Sequence, residues 1–259
     1  MFLNYYFKRI INDKIKLIII LFVSVVMILD LILRIKYFPI GSTPMQANFN
    51  TFLSLTGNDM FFHALIFWFL PIYLSILSAE DVIEDYNTGC INALIVRKGK
   101  KTYLLNNFLK AFIISFSTIF LALFFNLVLS FIIFNGATYS PFSNFASNLE
   151  QSHLLVKSLQ NPFFTNIAFI LITSILSGVV GMASVGFALG FKERKIVYPL
   201  SFVIWFIPFC FHKSIMLSIQ PFSEYDLKQI LPTYLFTLIL HLLVPIIIYK
   251  KETIYHEKI

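Results

Sequence analysis

Residues 163–191 read FFTNIAFILITSILSGVVGMASVGFALGF, 29 consecutive positions without Asp, Glu, Lys or Arg. About 20 apolar residues at 1.5 Å rise cross roughly 30 Å of hydrocarbon, so this run spans a bilayer with length left for tilt or an interfacial turn. Five more stretches qualify, at residues 17–33, 60–79, 111–134, 196–211 and 230–249. Composition agrees, with 58% hydrophobic residues, 17% aromatic, 13% charged and a mean hydropathy of +0.80. A soluble domain carries about a quarter charged residues. A globule of 259 residues cannot hide so much apolar surface. A water-soluble enzyme is excluded, as are disordered, collagenous and disulfide-scaffold chains. The sequence predicts an all-α integral membrane protein, one domain over residues 1–259, with six transmembrane helices.

The net charge of +7 follows from the loops rather than from a nucleic-acid partner. Six spans put both termini on one side, and basic residues choose that side. With the termini inside, the cytoplasmic segments hold 15 of the 20 basic residues. Only Arg34, Lys36, Lys157, Lys213 and Lys228 fall outside. Both termini are therefore expected in the cytoplasm. The first 16 residues carry four basic groups and no small-residue cleavage site, so no removable signal peptide is read. Cys90 falls in a cytoplasmic loop and Cys210 in a span, which suggests neither a bridge nor a metal site. The absence of an Asn-x-Ser/Thr sequon fits a bacterial cell membrane.

The connection at residues 80–110 is the longest and most charged of the inner ones. Glu80, Asp81, Glu84 and Asp85 place like charges four apart if the second span continues as a helix, a mildly destabilising pattern by itself. Asn87-Thr88-Gly89 then breaks the helix, and the amphipathic run at residues 90–96 follows, with Leu94 as its packing anchor. A basic cluster at residues 97–101 closes it. This predicts a short helix lying across the inner membrane surface. Two readings stand: a solvated hairpin touching lipid phosphates, or a docking surface for a cytoplasmic protein.

The pattern Glu84-x4-Gly89-x4-Leu94-x2-Arg97-x5-Tyr103-x6-Lys110 resembles that of ABC-2 type permeases, the membrane subunits of type-2 ABC exporters. The match covers about 30 positions, and this chain has Arg97-Lys98-Gly99 where many members carry a Pro-Ser-Arg-like turn. The resemblance implies that the short helix is a coupling helix seated in a groove of an ATPase subunit. It also implies that Glu84, Gly89, Leu94, Arg97, Tyr103 and Lys110 serve that coupling, and that a second permease subunit, identical or paralogous, completes the path. ATP and Mg would then reside on the ATPase partner, since no G-x-x-x-x-G-K-[ST] run occurs here and no cofactor is expected in this chain. In that family small permeases often serve peptide-antibiotic export and self-protection.

Other features are compatible with this reading without requiring it. Phe2, Leu3, Tyr6, Phe7, Ile10 and Ile11 recur at helical spacing among polar residues, as in an N-terminal interfacial helix against membrane lipids. Gly178, Gly181, Gly186 and Gly190 form small-residue stripes that let helices approach closely, within one subunit or at a moving or dimer contact. Asp30 sits four before Arg34, the spacing of a local ion pair. His241 lies deep in the last span and reads as a hydrogen-bonded packing histidine before a proton relay or ligand contact, while His63 and His212 lie at outer ends facing interfacial water. Pro71, Pro208 and Pro245 interrupt spans. In residues 222–231, Phe222, Tyr225 and Leu227 are expected to dip into the interface while Glu224, Asp226 and Lys228 stay wet.

The expected function is export of an amphipathic or hydrophobic substrate, driven by a separate ATPase. The chain itself is expected not to be an enzyme. A non-transporting membrane partner, such as an immunity or assembly factor, shares these features. An intramembrane hydrolase fits less well, because no Glu-Glu-x3-Arg or His-Glu-x2-His run occurs and the histidines fall on separate segments.

Overall fold

The computed structural model describes residues 9, 12–36, 45–54, 60–140, 153–211 and 214–254. Among these the secondary structure is helical, apart from one isolated parallel bridge between Met45 and Tyr139. The helices are α1 (Lys14–Lys36), α2 (Met60–Trp68), α3 (Leu70–Ser78), α4 (Glu80–Asn87), α5 (Cys90–Lys98) and α6 (Lys100–Ile133). They continue as α7 (Leu154–Gln160), α8 (Pro162–Phe191), α9 (Arg194–Cys210), α10 (Ile215–Ser218) and α11 (Leu227–Ile254). Four of them, α1, α6, α8 and α11, are long and apolar enough to cross a membrane, and α2 with α3 makes a fifth if the pair is one span. The expected N-terminal interfacial helix lies largely outside the described residues, as does His212.

Local chemistry explains the breaks. The stretch at 60–79, expected as one span, is two helices bent by 43°. Pro71 occupies the first turn of α3, where its missing N–H costs nothing, but it cannot bond back to the preceding turn. Ile72 and Tyr73 instead donate to Phe69 O, starting a new helix. The expected charged connection at 80–110 is also shorter than its sequence suggested. Gly99 (φ 78°) turns the chain, and α6 begins at Lys100 as one 34-residue helix that includes Tyr103 and Lys110.

Helix α8 is the most enclosed of the crossing helices, and its glycines explain why. A Cβ on Gly178 would lie 2.6 Å from the Phe112 ring, and one on Gly181 would lie 2.1 Å from Ser115 Oγ, both on α6. On Gly186 and Gly190 it would meet Val244 and Ile248 of α11, at 2.9 and 3.1 Å. The stripes thus seat α6 and α11 of the same chain. Polar ties add to this packing: Ser75 Oγ donates to Ser184 Oγ (2.9 Å) and Ser78 Oγ to Gly181 O (3.3 Å). His241 is fully buried, its Nδ1 2.8 Å from Thr237 O and its ring edge-on to Trp205, the packing role expected.

At the end of the bundle away from α4, the segment at 45–54 is folded into the helices. Asn50, Thr51, Phe52, Leu53 and Ser54 are buried. Polar side chains of the long helices receive this segment's backbone: Phe52 N donates to Asn126 Oδ1 (2.8 Å), and Ser130 Oγ donates to Ala47 O (2.7 Å). Asn166 Nδ2 donates to Asn48 O (2.9 Å), and Arg34, paired with Asp30 as expected, also reaches Ser54 O (2.9 Å). The segment plugs this end of the bundle. It also corrects two expectations. His63 is buried against Phe52 and Phe67 rather than facing water, and Phe222 packs edge-on to Phe49 instead of dipping into the interface.

Candidate functional site: an ion cluster beneath a short surface helix

Helix α4 follows α3 after Ala79 with four acids in six residues, and each finds a cation from another part of the chain. Asp81 is the centre. Its side chain is 1% exposed and pairs with Lys16 of α1, Lys110 of α6 and Arg9 (3.0 Å). Lys16 and Lys110 are themselves 1% and 8% exposed. Arg9 also reaches Asp85 Oδ1 (2.8 Å) and Glu84 Oε2 (3.0 Å). Glu80 pairs with Arg194 at the start of α9 and accepts the Tyr198 hydroxyl proton at 2.6 Å. Lys192 lies 4.4 Å above the Tyr86 ring. The like-charge spacing that strains an isolated helix is therefore neutralised by cations from α1, α6, α9 and the N-terminal segment.

The charges tune one another. Burial pushes the Asp81 carboxyl up, but Lys110, Lys16 and Arg9 more than offset it and hold it below the usual carboxylate range. Burial likewise opposes the Arg9 charge, and Asp81, Asp85 and Glu84 outweigh it, leaving the guanidinium above its ordinary value. The Glu80 hydrogen bond and charge raise Arg194 in the same direction. Taking two ammonium groups out of water costs several kcal/mol, so the assembly is weak evidence of net stability. Its geometric consequence is firmer, because one carboxylate ties α1, α4 and α6 together.

Helix α5 follows through the turn foreseen at Thr88 and Gly89. Thr88 Oγ1 donates to Glu84 O (2.8 Å), Gly89 N donates to Tyr86 O (3.0 Å), and Gly89 takes φ 72°, the left-handed region open to glycine. Ile91, Leu94 and Ile95 pack onto the core formed by Val82, Ile83, Leu104 and Phe108. The opposite face carries Asn92, Ala93, Val96 and Arg97, all exposed, with Val96 at 89%.

The six residues singled out for coupling thus separate into two groups. Gly89 and Arg97 are at the surface, with Leu94 under the short helix. Tyr103 and Lys110 are buried in α6, Lys110 within the ion cluster, and Glu84 stands at its edge, 46% exposed and paired with Arg9. Asp81, Arg9 and Lys16 were not singled out. A lysine at each of two predicted span boundaries, Lys16 before 17–33 and Lys110 before 111–134, with an acid run at a third, was the available signal. Among the described residues, no three His, Cys, Asp or Glu side chains are grouped to hold a metal ion.

The chain is similar over 254 residues to the uncharacterized protein YybM of Bacillus subtilis (strain 168), with 33% identity covering 96% of this chain and 97% of that one. No solved structure matches it. A family model described as "Protein of unknown function (DUF2705)" matches residues 45–192, from the plug segment through the ion cluster to the end of α8. The chain belongs to the DUF2705 family.

Proposed function

We propose that the chain is the permease subunit of an ATP-driven exporter in a bacterial cell membrane, with a separate ATPase docking on α5. The observation that carries this reading is the construction of α5. One face is packed on the bundle, the other is exposed and mixed apolar and basic, and α4, joined to it by the Thr88–Gly89 turn, is tied by the ion cluster to α1 and α6. A push on such a helix reaches several spans at once rather than dissipating in a loop. In this reading α9, 17 residues and about 25 Å long, is the fifth of six spans. Both termini and α5 are cytoplasmic, a second permease subunit completes the path, and ATP and Mg are held by the partner. The substrate is amphipathic or apolar, in keeping with the aromatic-rich spans, and this chain has no enzymatic step of its own.

Co-purification with a candidate ATPase tests the reading. Val96→Asp alters only the exposed face, whereas Gly89→Pro removes the bond to Tyr86 O and imposes φ near −65° where 72° is required. Both should abolish ATPase association and ATP-dependent export while the chain still inserts. If either variant exports normally, or if the unaltered chain performs its physiological role without an ATPase, the permease reading falls. The non-transporting membrane partner then takes its place.

A further inference from the structure

At the plugged end of the bundle, α10 and the first turns of α11 border an open cavity of about 430 Å³. Its polar lining comprises Ser214, Ser218, Tyr225, Lys228, Gln229 and Thr233, and Leu217 supplies part of its apolar wall. We propose that this cavity binds the phosphate of an anionic phospholipid headgroup.

Three observations point to that ligand. First, Ser218 is 2% exposed and lines the cavity, yet its hydroxyl has no hydrogen-bond partner among the described residues. The hydroxyl is open to the cavity, so it is free to donate to a ligand oxygen that enters there. Second, the Lys228 ammonium lines the same cavity and makes no ion pair among the described residues. Asp226 lies near enough to feel the Lys228 charge, but its carboxylate is held by backbone donors, accepting from Leu154 N at 3.1 Å and from Leu227 N, and makes no ion pair with Lys228. No carboxylate lines the cavity, so an anion meets one cation and several hydroxyl and amide donors. Third, Leu231, Leu235, Ile239 and Leu243 are all exposed and recur every four residues down α11 from the cavity. They form an apolar track on a membrane-length helix, suited to an acyl chain attached to the bound headgroup.

A free phosphate shares the polar chemistry but has no use for the track. A zwitterionic headgroup brings its own cation towards Lys228, with no acid in the lining to receive it. Both arguments select a lipid with net negative charge.

Native mass spectrometry of the full chain, extracted in mild detergent and offered phosphatidylglycerol or phosphatidylcholine, tests this. The unaltered chain should retain phosphatidylglycerol preferentially. Lys228→Gln should weaken that retention about tenfold, as expected for loss of one charge-assisted contact, and Lys228→Arg should preserve it. Ser218→Ala, which adds no volume, should weaken it about threefold and stands as an independent variant should Lys228→Gln unfold the chain. Lys157→Gln, on α7 and outside the cavity lining, should leave retention unchanged. Equal retention by Lys228→Gln and the unaltered chain would overturn the proposal. So would an equal loss with Lys157→Gln, which would mean general surface charge, or displacement of the lipid by inorganic phosphate, which would mean a free-anion site.

Discussion

Replacing Asp81 by Asn removes one charge and almost no volume, and takes from the buried Lys16 and Lys110 the carboxylate they share, while Lys16 keeps Asp13 at 3.5 Å. Breaking a buried ion pair by deleting one partner costs about 3–5 kcal/mol, because the remaining charge stays desolvated. The matched control is Glu84→Gln, three residues along the same helix. Glu84 is 46% exposed, so losing its pair with Arg9 should cost about 0–1 kcal/mol. Adding Lys16→Met to Asp81→Asn removes one of the two buried ammonium groups that shared Asp81 and should recover about 1–3 kcal/mol relative to additivity. The measurement is unfolding in mixed micelles by a denaturing detergent, followed by circular dichroism and tryptophan fluorescence, and closed as a double-mutant cycle. Asp81 also imposes a pH dependence. Its folded pKa lies below the ordinary value of 3.8, so the unfolded chain binds the proton more readily. Its contribution is present above that value and is lost as pH falls through the folded pKa. Asp81→Asn should therefore flatten the acid limb of the stability profile. If Asp81→Asn costs no more than Glu84→Gln, or if the double variant is simply additive, the cluster does not hold the helices together.

The glycine contacts make a sharper steric claim. Gly181→Ala should destabilise by about 1–3 kcal/mol, since its Cβ would meet Ser115 Cβ at 2.8 Å and Ala111 O at 3.1 Å. Gly89→Ala meets open space and should cost only the strain of a positive φ, about 1 kcal/mol, by the same unfolding assay. For orientation, single cysteines at Ser147 and Lys258, introduced after replacing Cys90 and Cys210, should react oppositely with a membrane-impermeant thiol reagent. Position 147 should label from outside and position 258 should be spared, and the reverse pattern would place α5 outside the cell.

Much of the helical frame is legible because its causes are local. A run without charges, such as 163–191, has few alternatives to a buried or membrane helix, and α8 occupies it almost residue for residue. Thr88 and Gly89 announce a helix break by their own backbone preferences, and the structure breaks there. The Asp30–Arg34 pair needs only one helical turn. What stays hidden depends on distant partners. Glu80, Asp81, Glu84 and Asp85 look alike in sequence, and nothing local says that Asp81 alone faces both Lys16 and Lys110. Thr51 and Ser54 of the plug are buried beside partners far along the chain, such as Asn166 and Arg34, which no local pattern announces. Asn126, Ser130 and Asn166 carried the clue. A polar side chain inside an apolar helix usually hydrogen-bonds across to another element, and here all three receive the same segment.

The two ends of the bundle are closed by different chemistry, and the difference bears on which end can move. At the plug, most of the ties are neutral amide and hydroxyl bonds, each contributing about 0.5–1.5 kcal/mol, and they hold backbone that would otherwise be unsatisfied. Opening that end exposes a strand of buried backbone and the Phe52 side chain together, so the change is all or nothing. At the α4 end, three cations converge on Asp81, and a shift of α4 by a few ångströms lets it exchange one lysine for another without leaving the carboxylate unpaired. Redundant counter-ions make intermediate positions tolerable, where a single pair would resist them. In the permease reading the ion-cluster end would transmit graded displacement and the plug end would resist it. That is the polarity this reading requires, with the drive entering beside α5 and the seal standing opposite. If Lys16→Met and Lys110→Met each preserve coupled export while only the pair of substitutions together abolishes it, this redundancy operates. If either single substitution is fully disabling, the cluster is a rigid joint instead.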